Sequence, residues 1–270
     1  MGTQVEDSLR LKNDFRYQQA INSSDVQPLN SAPMHLVDKL APVTGYQGFA
    51  LSFAEPWQGP VGDGTAGGWT VTSVDGGGDA GEVVGIRDTV EGGVLRILTN
   101  DADNDNTQLQ MAGSVFKYNV GKQMWFFAKV AVEDANLSDL AMGLIIESDT
   151  NMINTFPTDG IFFEKVTVPT EMDFHVRKNG ASTESTLITG TLADDTFRVM
   201  GFHVDVAGNV HAYDGTTFQN MVKVATVAVG NANIPDDVAL TPAFQVQTGG
   251  AATRYMDIKA VMVAQEQAKA

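Results

Sequence analysis

From about residue 68 onward, the chain is a succession of short runs rich in Val, Ile, Phe and Thr, separated by Gly, Asp, Asn and Pro. Runs of this kind are typical of β-strands, and no segment between them has the 3.6-residue period of a helix. The pattern therefore predicts an all-β fold, an antiparallel two-sheet β-sandwich. The predicted strands are WTVTSV from Trp69, GVLRILT from Gly93, QMWFFAKVAV from Gln123, LAMGLIIES from Leu140, GIFFEKV from Gly160, EMDFHVRK from Glu171, TFRVMGFHVDV from Thr196, NVHAYD from Asn209, LTPAFQVQT from Leu240 and TRYMDIKAVMVA from Thr253.

Several of these runs alternate cleanly between apolar and polar side chains. In the run from Glu171 to Arg177, Met172, Phe174 and Val176 share one face, which predicts a half-buried strand. In residues 255–263 the even-numbered positions form the corresponding apolar face. Tight turns at residues 207–209 and 214–215 predict a hairpin between them.

The N-terminal part of the chain has a different character. Residues 1–60 are rich in Gln, Asn, Ser and Pro and show no strand pattern, and a short helix from Ser8 to Ile21 would have no clean apolar stripe. We interpret residues 1–60 as an irregular N-terminal arm and residues 61–270 as the sandwich domain. The arm either folds back onto the domain or becomes ordered on a partner. In the second case five apolar side chains would bind the partner: Leu9, Leu11, Phe15, Tyr17 and Ile21.

Charge is distributed unevenly along the sequence. The chain has a net charge of −16, of which residues 1–40 contribute −1, from four basic and five acidic side chains, so the remainder carries −15. An acidic body repels phosphate backbones, so we expect no nucleic-acid partner. No apolar stretch reaches the roughly 20 residues needed to cross a bilayer, and acidic residues near the N-terminus argue against a signal peptide. We therefore expect no membrane association.

The residue types needed for many kinds of catalysis are scarce. The sequence contains no cysteine, which excludes disulfides and thiol nucleophiles, and only four histidines. His203 and His211 are expected near one another across a hairpin, as ordinary strand residues. The glycine-rich segment from Gly76 to Gly81 lacks the Lys and Ser or Thr of a phosphate loop, and no Gly-x-Ser-x-Gly motif occurs.

Asp101, Asp103 and Asp105 alternate as the first ligands of a calcium loop do. The sixth position of that loop is Asn106 where glycine is needed, and the twelfth is Ala112 where a glutamate is needed. The EF-hand interpretation fails, and whether these aspartates bind calcium in another way is left open. We predict no metal and no cofactor.

Glu171 and Asp173 are spaced as carboxylates on one strand face, an arrangement used by retaining glycosidases. In sandwich glycosidases a second glutamate follows, but here those positions hold His175 and Val176. We therefore predict no catalytic residues and no enzymatic activity. The alternative is sugar binding by tryptophans; Trp125 is expected in the core, and Trp57 either closes one end of the sandwich or meets a ligand.

The order of the strands resembles the concanavalin-like jelly-roll modules found in virion proteins of tailed phages. The resemblance covers about residues 65–266 as a pattern. The stretches that carry it are GGVLRILTNDADNDNTQLQ from Gly92, NTFPTDGIFFEK from Asn154, FRVMGFHVDVAGNVHAYDG from Phe197 and IPDDVALTPAFQVQTGGAATRYMDIKAVMVAQE from Ile234.

This resemblance implies a structural protein of a bacteriophage virion, made in the host cytoplasm. Such modules occur in capsid decoration, or cement, proteins and in head or tail fibres. The absence of a repetitive shaft favours a decoration protein on the capsid surface that binds the major capsid protein. Similar cement proteins are often homotrimers, so the resemblance also implies a homotrimer. The alternative is a fibre or receptor-binding lectin-like module that recognises a glycan.

Overall fold

The computed structural model describes residues 46–52, 59, 61, 63–74, 83–87, 93–147, 152–153, 155–166, 170–186, 191–228 and 233–266. These residues form sixteen β-strands in two eight-stranded antiparallel sheets and contain no helix. Sheet 1 consists of β1 (Tyr46–Ser52), β4 (Val83–Arg87), β5 (Val94–Leu98), β7 (Met124–Val132), β12 (Arg198–Val204), β13 (Val210–Gly215), β14 (Val222–Val227) and β16 (Tyr255–Glu266). Sheet 2 consists of β2 (Gly64–Ala66), β3 (Trp69–Val74), β6 (Asn106–Met111), β8 (Ser138–Ile145), β9 (Gly160–Lys165), β10 (Asp173–Lys178), β11 (Ala181–Thr186) and β15 (Thr241–Thr248).

The two sheets have a jelly-roll order, in which strands distant in sequence are neighbours. Sheet 1 runs β14-β13-β12-β7-β16-β5-β4, and β1 also pairs with β16. Sheet 2 runs β11-β10-β9-β8-β15-β6-β3-β2. The predicted all-β, two-sheet antiparallel sandwich is therefore confirmed, and all ten predicted strands are present.

Strand β1 is a correction to the sequence analysis, which found no strand pattern in residues 1–60. Residues 46–52 pair with β16 over seven register positions, from Tyr46 opposite Glu266 to Ser52 opposite Ala260. The sequence YQGFALS has no regular alternation of apolar and polar side chains, so no pattern indicated a strand. It is a strand because it pairs with β16. Residues 1–45 lie outside the described residues.

The apolar face predicted for β16 is correct only in its first half. Met256 and Ile258 enter the core, but a register shift between Ile258 and Ala260 places the extra residue Lys259 in a β-bulge. Beyond the bulge, Val261 and Val263 face the core, whereas Met262 packs on the outer face of sheet 1. One inserted residue exchanges the two faces of a strand, and no sequence pattern indicated it.

Close packing between β8 and β9 leaves no room for a side chain at Gly143. A Cβ atom at this position would lie 2.4 Å from the Ile161 carbonyl oxygen and 2.5 Å from the Phe162 Cα. Both contacts are to backbone atoms, so a Cβ atom at Gly143 could be accommodated only if the two strands moved apart. A Cβ atom added at Gly85 in β4 would have no other atom within 4 Å, which makes Gly85 a matched strand glycine in open space.

We predict that Gly143→Ala lowers the free energy of unfolding by about 2–3 kcal/mol, because the added methyl group overpacks the sheet. Gly85→Ala should change it by less than about 0.5 kcal/mol. Urea unfolding of the two variants beside the wild type measures both values. Equal stability of the two variants would contradict this account of β8 and β9.

Candidate functional site

A row of polar side chains crosses the outer face of sheet 2. In register, Asp173 of β10 lies opposite Glu164 of β9, and Glu164 lies opposite Ala141 of β8. Ala141 in turn lies opposite Gln245 of β15, which lies opposite Gln108 of β6. Side chains at paired positions share one face of a sheet, so carboxylates occupy one half of this row and amides the other. We call these residues the polar row.

An aromatic group lies beside the carboxylate half of the polar row. The His175 ring stacks on Phe162, with ring centroids 4.9 Å apart, and its Nε2 lies 3.0 Å from Glu164 Oε2. Phe156 lies against the same histidine at 5.2 Å, and the Arg177 guanidinium lies 4.9 Å from the Phe156 ring centre. Aromatic side chains beside a few polar groups are the lining typical of small-molecule sites, which makes this face the candidate site.

The amide half of the polar row is tied into hydrogen bonds within the protein. Gln245 Nε2 donates to Asn106 Oδ1 at 2.9 Å, and its Oε1 accepts from the Met152 backbone N–H at 2.6 Å. Gln108 Nε2 donates to Gln110 Oε1 at 3.3 Å. These bonds hold the amides in fixed positions.

This face is closed to solvent over most of the row. Glu164 is 4 % exposed and His175 is 2 % exposed, and Gln245 is fully buried. Met152 and Ile153 cover part of the face, because they pack against its apolar side chains, which include Phe162. The described residues thus form a packed face along most of the polar row, with Asp173 exposed.

Glu171 and Asp173, whose spacing is that of carboxylates on one strand face, do not belong to the buried part of this face. Glu171 and Asp173 are both exposed, at the margin of the face. The carboxylate residue directly opposite Asp173 in register is Glu164, on the neighbouring strand β9. The sequence analysis did not predict this pair. No spacing rule within one strand reveals such a pair, because it exists only once the β9–β10 register is known.

The acidic loop before β6 contains a turn that one of its own aspartates closes. Asp105 is fully buried, and its Oδ2 accepts a hydrogen bond from the Ala102 backbone N–H at 2.8 Å, whereas Asp101 and Asp103 are exposed. A carboxylate that closes its own turn stabilises the loop directly. No group of three or more His, Asp or Glu side chains in the described part of the chain is arranged to hold a metal ion.

His203 and His211 do meet across the hairpin, as the sequence predicted. They are register partners in β12 and β13, with ring centroids 6.2 Å apart. His203 stacks on Trp125 at 5.2 Å, and its Nε2 lies 3.0 Å from Gln123 Oε1. His211 Nε2 lies 3.1 Å from Asp205 Oδ2.

Packing at this histidine pair shifts two pKa values. Burial, with a further contribution from His211, lowers the pKa of His203 to about 4. Burial raises the pKa of Asp205, but hydrogen bonds from Asn209 and His211 outweigh that effect and lower it to about 2. His203 is therefore a neutral, packed side chain at neutral pH.

Of the remaining predicted positions, Trp125 lies in the sandwich and the others lie outside the described residues. Trp125 is fully buried, as expected, but it packs on the outer face of sheet 1 with Phe127 and Met262 instead of between the sheets. Trp57 lies outside the described residues, and so do the five arm residues: Leu9, Leu11, Phe15, Tyr17 and Ile21. Within the described part of the chain, no helix is long and apolar enough to cross a membrane.

Comparison with solved structures identifies the class of fold, a concanavalin-like, legume-lectin-like jelly roll. An endo-1,3-beta-glucanase from Streptomyces sioyaensis superposes with a TM-score of 0.56 at 12 % identity, covering 84 % of this chain and 99 % of its own. Lectin II from Ulex europaeus gives 0.54 at 10 %, covering 81 % and 98 %. A protein of unknown function from Shewanella oneidensis MR-1 gives 0.56 at 12 %, covering 84 % and 91 %. Identities this low establish the fold alone.

No family model matches the chain, and no curated protein matches it.

The lowered pKa of His203 predicts a pH-dependent stability. Below pH 6.5 an unfolded chain protonates this histidine while the folded chain does not, so stability falls as the pH drops from 6.5 to about 4. Between about pH 7.5 and about pH 5 the loss from this residue is about 2 kcal/mol. His203→Phe keeps a ring on Trp125 and should lose that much less stability over the same interval.

Chemical unfolding of the wild type and the variant at the two pH values measures the difference. Asp205 does not contribute, since its pKa of about 2 keeps it ionised throughout. The account of His203 is wrong if wild type and variant have parallel pH profiles.

Proposed function

We propose that this protein is a non-enzymatic structural protein of a tailed-phage virion that decorates and cements the capsid exterior. Two things support the proposal: the resemblance of residues 65–266 to virion jelly-roll modules, and the closure of the face on which a ligand cleft would lie. The resemblance carries the decoration role, and the burial of Glu164 and His175, which are 4 % and 2 % exposed, supports the non-enzymatic part of the proposal. Binding is then left to the ends of the sandwich, its loops and the arm.

In this proposal the major capsid protein is the partner and the arm supplies the main attachment. Residues 1–40 have a net charge of only −1, and the arm includes Leu9, Phe15 and Ile21 among its apolar side chains. An arm that buries a few hundred Å², at ~25 cal/mol per Å², binds weakly as one copy once the cost of ordering it is subtracted. Assembly as a homotrimer would raise the overall affinity by roughly 10²–10⁴.

Co-sedimentation with undecorated capsids tests the role of the arm. We expect the wild type to sediment with the shells and a deletion of residues 1–45 to remain in the supernatant, because the deletion removes the apolar arm and leaves β1 in place. Circular dichroism shows whether the deleted protein retains its β-structure. Undiminished binding by a folded deletion would mean that the sandwich itself is the adhesive surface.

The proposal also predicts that no purified preparation hydrolyses polysaccharide. Enzymes occur among proteins of this fold, including the Streptomyces glucanase and an endo-acting O-glycanase of gut bacteria with a TM-score of 0.55. In this chain, His175 and Val176 occupy the positions where the second glutamate is expected, and Glu164 is buried beside His175. Release of reducing sugar that disappears in Glu171→Gln or Asp173→Asn would contradict the prediction.

A second candidate function is recognition of a glycan by a head or tail fibre. The fold favours it, since the Ulex lectin of this fold was solved in complex with galactose, and the polar row has one member that a sugar could reach. Asp173 is the exposed member of the row. A glycan array distinguishes the two functions: binding that is lost in Asp173→Asn and retained in the exposed control Asp101→Asn would favour the glycan, whereas the decoration proposal predicts no bound sugar.

A further inference from the structure

Three side chains of sheet 1 and of the turn between β12 and β13 form a continuous chain of hydrogen bonds. Asp205 Oδ2 lies 3.1 Å from His211 Nε2, and His211 Nδ1 lies 2.9 Å from Thr226 Oγ1. An acid, an imidazole and a hydroxyl linked in this order are the arrangement by which proteins make a hydroxyl nucleophilic. We call these three residues the Asp–His–Thr relay.

The pairing of β12, β13 and β14 brings the relay together. His211 of β13 lies directly opposite Thr226 of β14, and its other neighbour in register is His203 of β12. Asp205 follows the last residue of β12, in the turn that joins β12 to β13. Two of the residues therefore meet through strand register and the third joins them through a turn, so spacing along the sequence does not indicate the group.

The ionised state of Asp205 decides the direction of these hydrogen bonds. The pKa of Asp205 is about 2, so at neutral pH its oxygens only accept hydrogen bonds. His211 Nε2 therefore carries the proton that lies between the two side chains. In the neutral ring, Nδ1 is then the unprotonated nitrogen, and it accepts the proton of the Thr226 hydroxyl. Thr226 thus directs its proton at a base, as a nucleophilic hydroxyl requires.

Further contacts hold both supporting residues in position. The Asn209 backbone N–H donates to Asp205 Oδ1 at 2.9 Å, and Asn209 Nδ2 donates to Asp205 Oδ2 at the same distance. The His211 ring centroid lies 6.2 Å from that of His203, which stacks on the buried Trp125. A base that is already oriented toward the hydroxyl loses little entropy when the reaction begins.

Thr226 is the member of the relay that a reagent in solution reaches most easily. It is exposed, whereas the side chains of His211 and Asp205 are 16 % and 25 % exposed. β14 ends the pairing order of sheet 1, so no described strand lies beyond Thr226. The polar row lies on sheet 2, so this hydroxyl is a separate site.

We propose that Thr226 is an acyl-acceptor site, whose hydroxyl is activated by His211 and reacts with activated acyl donors such as aryl esters and thioesters. Thr226 Oγ1 forms a bond to the carbonyl carbon of the donor, and the bond from that carbon to the leaving oxygen or sulfur breaks. The hydroxyl proton passes to His211 Nδ1 and from there to the leaving group. The product is an ester of Thr226, one covalent modification per chain. This reactivity needs no turnover and is independent of the proposed decoration function.

Incubation of the full-length protein with p-nitrophenyl acetate, followed by mass spectrometry of its peptides, tests the proposal. We expect acetylation of Thr226 that neutral hydroxylamine removes, because hydroxylamine cleaves such esters and leaves the amides formed on lysine. Thr65 is a control within the same sample: it is exposed, and its Oγ1 lies 2.9 Å from Thr70 Oγ1, a hydrogen bond that contains no base. Thr226 should be acetylated about 10²-fold faster than Thr65.

Three variants separate the hydroxyl from its base. His211→Gln keeps a side chain that can hydrogen-bond to Thr226 but is not a base, and it should lower the rate at Thr226 to that of Thr65. Thr226→Ser retains a hydroxyl and should still be acetylated at position 226, whereas Thr226→Val should not. Circular dichroism shows whether the variants fold, and the comparison of Thr226 with Thr65 in the wild type does not depend on any of them.

Equal rates at Thr226 and Thr65 in the wild type would overturn the proposal, and so would an unchanged rate at Thr226 in a folded His211→Gln. Acetylation found on His211 and not on Thr226 would also overturn it, because the imidazole and not the hydroxyl would then be the nucleophile. None of these results bears on binding to capsids.

Discussion

The apolar layer between the two sheets is the interaction on which the rest of the structure depends. Phe126 of sheet 1 lies 6.1 Å from Phe244 of sheet 2, and Phe202 of sheet 1 lies 6.2 Å from Phe174 of sheet 2, as measured between ring centroids. The chain has no cysteine, so no disulfide assists this layer, and burial of apolar area has to hold the sheets together. Because side chains alternate along a strand, filling the layer also fixes which residues face outward.

Filling this layer also determines which side chains lie on the outer faces of the sheets. On sheet 2, the described outer face is largely packed. On sheet 2, Glu164 lies beside His175, and Gln245 bonds to Asn106 and to the Met152 backbone. Polar groups fixed to one another in this way are part of the packing, because leaving them unsatisfied would be costly. The fold that carries lectins and glycan-cleaving enzymes thus carries here a face on which most of the described polar groups are buried.

Sequence patterns predicted the sheets well where strands have their own alternation, as in Met172, Phe174 and Val176, all of which are buried. They failed where pairing with a neighbouring strand determines the structure and the alternation of apolar and polar residues does not. β11, ASTEST, is polar and small and is a strand because β10 pairs with it, and the bulge at Lys259 exchanges the faces of β16. For the same reason the Glu164–Asp173 pairing was not predictable, since it depends on which strands are neighbours and not on spacing along the chain.

The proposed function is that of a protein that acts by occupying a surface of the capsid. Electron microscopy of the assembled particle tests this account most directly, because it shows where the sandwich sits and which way it points. The proposal predicts density for the sandwich on the capsid exterior. Density at the tip of a tail or head fibre would contradict it.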